Sequence, residues 1–169
     1  TKGDYNNSLK SLYSSSNFES YLSDYKKNDI LISKIRILRE LSLDKESKKI
    51  LTILDNDSDL IADKNQQQQI KKAVLIEKAK FLYKEQQYSN GIQLLLNQNK
   101  LATDNDNSDI GISTKVLLGD FYLKQRDFVL SEKYYKLAYS IINNQKNQNL
   151  HQKVLDGIRC NEYTNDIEV

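Results

Sequence analysis

Residues 116–141 read VLLGDFYLKQRDFVLSEKYYKLAYSI, and two helical periods meet inside them. Leu118, Gly119 and Tyr122 fall on one face of a first helix. Phe128, Tyr135 and Ala138 fall on one face of a second, because residues three, four and seven apart share a helix surface. The polar stretch 124–127 between them is short enough to fold the second helix back along the first. The spacing predicts a helix–turn–helix pair whose seam holds those six residues.

The six residues, at these positions, resemble a unit of the tetratricopeptide (TPR) repeat family. The resemblance implies that Gly119 lets the second helix cross close to the first and that the larger residues fill the seam. An earlier pair is similar, with Ala79, Leu82, Tyr88, Gly91 and Leu95 at the matching positions and Gln98 departing from the pattern. That departure predicts a second helix that ends early, near Asn97. Ala79 and Gly119 lie 40 residues apart, against roughly 34 in a regular TPR array. The excess falls in Lys100 to Ile110, a polar segment with Asp104, Asp106 and Asp109 and no apolar anchor between Ala102 and Ile110. This segment is expected to be an extended acidic inter-repeat loop, mobile and cut first at Lys100 by a protease.

Composition supports long helices joined by polar loops. The 169 residues include no proline and only five glycines, so the usual helix breakers are missing. An apolar fraction of 38% suits helices that bury one stripe and leave the rest wet. Lys and Arg total 25 against 23 for Asp and Glu, a net charge of +2 that gives no electrostatic reason to expect direct nucleic-acid binding. The longest apolar run is far below the roughly 20 residues of a membrane span, so no membrane association is expected. One cysteine cannot form an internal disulfide, which fits a cytoplasmic or nuclear setting. Methionine is absent, even from position 1, so the chain is expected to begin inside a longer protein.

Elsewhere the helical period is weaker. Tyr5, Leu9, Leu12 and Tyr13 predict one short helix, and Phe18, Tyr21, Leu22 and Tyr25 another. Ser14–Ser16 would separate them, with Ser16 and Glu19 as a capping box. Asp29 is placed to cap a third helix carrying Leu31, Ile32, Ile35, Leu38 and Leu41. A fourth begins near Asp44, and an acidic break follows from Asp55 to Asp59. Ile70, Ala73, Val74, Glu77 and Phe81 then mark a long helix from about Gln66, closed by the turn Glu85–Gln87. Leu150, Val154, Leu155 and Ile158 predict a last, capping helix. The chain therefore reads as degenerate helical pairs over 1–65, two TPR-like units over 66–145 and a cap with tail over 146–169. The fold class is all-α, a right-handed solenoid of about seven to nine antiparallel helices without a sheet.

No motif in the sequence carries chemistry. His151, the one histidine, has no acid, Ser or Cys partner beside it, and Cys160 has only Arg159 as an activating neighbour. Asp55, Asp57 and Asp59 alternate like calcium ligands, but Leu60 and Gln66 stand where such a loop needs glycine and glutamate. The five glycines are isolated, so no phosphate loop forms. The eleven tyrosines fall mostly on apolar stripes, where seam packing explains them without stacked bases. The chain is expected to be no enzyme and to need no cofactor or metal.

In TPR proteins the first helix of each pair lines a groove that takes peptides. Carried onto this chain, the resemblance implies groove positions Ile76, Lys80, Tyr83 and Lys84 in the earlier unit and Val116, Asp120, Leu123 and Lys124 in the later one. The three lysines would meet acidic side chains or a terminal carboxylate, and Tyr83 and Leu123 would supply apolar contact. Members that clamp a chaperone's terminal carboxylate carry Lys and Asn where Ile76 and Lys80 stand, so that specialised role is not expected. The two units are also similar to helix pairs of the FAT segment of ataxia-telangiectasia-mutated-type kinases and to the helical arm of separase. The expected function is a non-catalytic scaffold that binds other proteins or peptides within a multi-protein complex. The alternative is a structural arm of an enzyme whose active site lies outside this chain.

Overall fold

A computed structural model of the chain describes residues 2–15, 23–99, 108–142, 152 and 154–159. Among the described residues the structure is helical, with no strand. Seven α-helices follow in order: α1 (Lys2–Ser15), α2 (Asp24–Glu40), α3 (Asp44–Asp57), α4 (Lys64–Lys84), α5 (Tyr88–Asn99), α6 (Asp109–Lys124) and α7 (Phe128–Ile142). Residues 154–159 add a helical stretch near the C-terminus. The chain divides into two compact units, 1–77 and 78–169. Their boundary falls within α4.

Three turns join helix pairs, and they share one backbone geometry. Ser42, Gln86 and Arg126 each sit at φ 61°. In each case the residue after it donates its N–H to the carbonyl five residues back: Leu43 to Leu38 at 2.8 Å, Gln87 to Leu82 at 2.8 Å and Asp127 to Tyr122 at 3.0 Å. The left-handed residue itself donates to the carbonyl three back, from Ser42 to Arg39, Gln86 to Tyr83 and Arg126 to Leu123. This double closure satisfies carbonyls that a helix end leaves orphaned, and it normally uses glycine at the left-handed position. None of the three positions is glycine, so each accepts some backbone strain to make the same turn.

The shared turn sets a register for the helices on either side. Counting from it, Ile35, Ala79 and Gly119 are equivalent, as are Ser47, Gly91 and Ser131, and Leu51, Leu95 and Tyr135. The first hairpin, α2 with α3, thus repeats the pattern of the later two, although the sequence reading placed it only among degenerate pairs. Two of the three hairpins carry the same buried bracket. Ser47 Oγ donates to the Ile35 carbonyl at 2.9 Å, and Ser131 Oγ donates to the Gly119 carbonyl at 3.0 Å. Each bond ties the second helix to the first where they cross, and each buried hydroxyl is satisfied by it.

Several expected boundaries shift. Asp29 lies inside α2 rather than capping a new helix, because the helix already begins at Asp24. Ser14 and Ser15 close α1 instead of forming a loop, and Ser14 Oγ donates to its Lys10 carbonyl at 3.0 Å. The Ser16–Glu19 capping box lies outside the described residues. The break placed at Asp55 begins only after Asp57, with a single 3₁₀ turn over Ser58–Leu60. The cap of α4 is Asp63, whose Oδ1 accepts from the N–H groups of Asn65 and Gln66. Helix α5 runs to Asn99, past the early end that Gln98 suggested. Residues 100–107 lie outside the described ones. Ser108 caps α6 by accepting from Gly111 N–H at 3.1 Å, so Asp109 and Ile110 belong to the helix and not to the loop.

Within 78–169 the hairpins interlock through two glycines. A Cβ at Gly91 on α5 would stand 2.2 Å from the Phe121 ring, so the missing side chain is what lets α6 lay that ring against α5. A Cβ at Gly119 would meet the Tyr135 ring at 2.8 Å, as the close-crossing argument requires. Val154 and Ile158 cover the far end of this seam, in a cluster with Ile112, Val116, Tyr135, Ala138 and Ile142. The sequence alone suggests that Gly119→Ala is neutral, with helix propensity offsetting the contact. The Tyr135 ring has little room to retreat, because a Cβ at Gly157 would meet it at 2.5 Å. Gly119→Ala is therefore expected to destabilise by about 1 kcal/mol and Gly119→Leu by about 3 kcal/mol, read from urea unfolding.

Candidate functional site

The groove positions implied by the repeat do not form one exposed row. Ile76 and Val116 are 3% and 2% exposed and belong to the core, so neither presents an outward surface. Lys84 and Lys124 are exposed near the ends of α4 and α6, and Lys80 and Leu123 are half-buried. Asp120 accepts a hydrogen bond of 2.6 Å from the Tyr135 hydroxyl, which comes up from the buried face of α7. That carboxylate therefore takes part in the hairpin seam.

Tyr83 and Asp120 are brought close, but by packing. The Tyr83 ring meets Phe121 edge-on at 5.4 Å between centroids and Tyr88 at 5.7 Å, so three aromatic rings from α4, α5 and α6 form one cluster. Burial, the Asp120 carboxylate and then Tyr88 push the Tyr83 hydroxyl up to about 12. Its neutral form is favoured in the folded state. The sign follows by linkage: stability is complete below pH 10, where both states hold the proton, and falls as the unfolded chain ionises above it. The side chain is only partly buried, so solvent screening holds the effect to about 1 kcal/mol between pH 10 and 12. Absorbance titration of tyrosinate should show Tyr83 ionising late, with a midpoint that falls in Asp120→Asn.

A second aromatic contact closes the last hairpin. Tyr122 and Tyr134 stack with centroids 5.6 Å apart and planes 5° from parallel, and the Lys133 ammonium lies 5.9 Å from the Tyr134 centroid. Burial and then Asp127 raise the Tyr122 hydroxyl above its ordinary value. Asp127 also caps α7, accepting from Leu130 N–H at 3.0 Å. These tyrosines therefore do packing work at helix crossings.

No family model, no curated protein and no solved structure matches the chain. The functional reading therefore rests on the geometry of the chain itself. His151 and Cys160 lie outside the described residues. Of the alternating acids, Asp59 pairs with Lys71 across the turn into α4. No group of three or more His, Cys, Asp or Glu side chains placed to hold a metal occurs among the described residues, and none of their helices is long and apolar enough to cross a membrane.

The most heavily buried charge escaped the motif reading. Glu77 is fully buried on α4, with Arg36 Nε at 3.0 Å from one carboxylate oxygen and Arg39 bonded to the other. The signal was present in the sequence, where Glu77 interrupts the apolar stripe of Ile70, Ala73, Val74 and Phe81. An acid at a core position needs a buried partner, and two arginines on α2 supply it.

Proposed function

We propose that this chain is a non-catalytic helical-repeat scaffold, a right-handed TPR-like solenoid that binds other proteins. The observation that carries the reading is the recurrence of one hairpin: the same left-handed turn at Ser42, Gln86 and Arg126, with the same helix register on both sides. A fold built from repeated hairpins presents extended surface and positions few groups for chemistry, so its natural product is contact. The packing of α5 against α6 through Gly91 and Phe121 supports stacking of successive hairpins.

The structural-arm reading has its own support. The turns recur at 44 and then 40 residues, longer than a regular peptide-binding array. Ile76 and Val116 fill the core where a peptide groove would need outward side chains. An arm docks through flanks and ends, and a module captures peptide along its first helices. Affinity capture of partners by the wild type and by the triple variant Lys80→Glu, Lys84→Glu, Lys124→Glu separates the two. Loss of the captured partner is expected for groove binding, since like-charge contacts cost several kcal/mol. An unchanged partner set discards the groove and leaves the arm.

A further inference from the structure

The exposed large apolar side chains among the described residues are Tyr5, Leu43, Ile53, Leu60 and Val129. Three of these five belong to α3 and its flanking turns, which singles out that helix. Its core face is Ser47, Leu51, Leu54 and, just beyond, Ser58. Beside that face run Glu46, Ile50, Ile53 and Asp57, spaced by three or four residues and so aligned on one flank. Ile53 is 54% exposed and Ile50 half-buried, with Leu43 at the N-cap 42% exposed and Leu60 in the following turn 81% exposed. Glu46 and Asp57 are exposed at either end of the isoleucine pair, and neither makes an ion pair with another described residue.

We propose that this flank of α3 is a docking site for a basic amphipathic helix of another protein, a partner whose apolar stripe covers Ile50 and Ile53 and whose lysines or arginines meet Glu46 and Asp57. The inference rests on the protein-binding reading above and adds a surface and a partner chemistry to it. Two carboxylates bracketing an apolar centre match a helix with apolar residues at i, i+3 or i+4 and basic residues on its borders, the arrangement of a helix laid along a groove or flank. Without such a cover the isoleucine stays half in water, an arrangement tolerated singly but concentrated here on one helix. The surface lies on the second helix of its hairpin, away from the first-helix residues that a peptide groove would use.

The test uses a fluorescently labelled synthetic helix with leucine along one stripe and lysine on both borders, against a scrambled peptide of the same composition. Anisotropy should show binding of the amphipathic helix and not of its scramble. Ile53→Asp, which sets a charge against the leucine stripe, and the pair Glu46→Lys, Asp57→Lys, which turns unlike rim charges into like ones, should each weaken it by about tenfold or more. Lys48→Glu, exposed on the opposite side of α3, should leave it unchanged. Binding of both peptides alike, no binding, or equal binding by Ile53→Asp would overturn the proposal. So would a dimer in sedimentation that Ile53→Asp abolishes, which would make a second copy of this chain the occupant. The capture experiment with the triple lysine variant probes α4 and α6 instead, so the two ideas fail separately.

Discussion

Tyr135→Ala is expected to lower the stability of the 78–169 unit by about 4 kcal/mol, the range for deleting a large buried aromatic ring. The ring is 1% exposed and shares a cluster with Ile112, Val116, Ala138, Ile142 and Val154. Its nearest constraints are Gly119 and Gly157, which have no side chains that could move in to fill the vacated space. The cavity would therefore stay open, and cavity volume adds to the lost transfer energy. Tyr135→Phe separates packing from polarity. It keeps the ring and loses the bond to Asp120, whose half-exposed carboxylate can take water instead, so its cost is about 1 kcal/mol. Urea unfolding followed by far-UV circular dichroism measures both. Equal midpoints for Tyr135→Ala and wild type would remove Tyr135 as the wedge between these helices.

The same residue shows what the sequence made legible. Gly119, Tyr122, Phe128, Tyr135 and Ala138 stand in strict helical spacing, so the last hairpin could be placed to within a residue, and Phe128 does begin α7. Periodicity reports which faces are apolar, and that is enough to find a pair of packed helices. The first hairpin was harder. Ile35 and Leu51 fill the positions held by Gly119 and Tyr135 in the last hairpin, so the small-plus-large signature of the crossing is absent, and Ser42 hides a left-handed turn that glycine would have announced. Only the backbone bonds of the turn reveal the equivalence.

The candidate groove was less legible, for a physical reason. A repeat motif says which positions pack, because packing constrains residue type, but the positions left over are defined only by exclusion. The resemblance implies an outward Val116, yet the helical stretch at 154–159 lays Val154 and Ile158 into its cluster. Asp120 reads as a surface acid in any pattern analysis, since nothing in the spacing reveals that a tyrosine hydroxyl 15 residues later donates to it. Tertiary partners decide the fate of polar groups, and a single sequence does not display them.

Breaking the charge cluster on α4 carries the other large expected effect. Glu77 is fully buried, and its two oxygens are held by Arg36 and Arg39 from α2. Stripping a carboxylate of water costs several kcal/mol, which only close guanidinium partners offset. Glu77→Gln keeps the shape but removes the charge, leaving Arg39, 12% exposed in its side chain, against a neutral amide. Arg36, 51% exposed, can return to water, and Arg39 keeps the Glu40 carboxylate at 3.3 Å, so neither arginine is left without a partner or water and the expected loss is about 2 kcal/mol. Because the pair is shielded from solvent, the loss should persist at high salt. The surface pair of Lys136 with Glu132 should behave oppositely, its small contribution vanishing as salt rises. The double variant Glu77→Leu, Arg39→Leu is expected to recover most of the stability, since replacing a buried pair by apolar groups of similar size is often neutral. A double-mutant cycle in urea reads the coupling directly. If Glu77→Gln unfolds at the wild-type midpoint, the cluster contributes nothing net to stability.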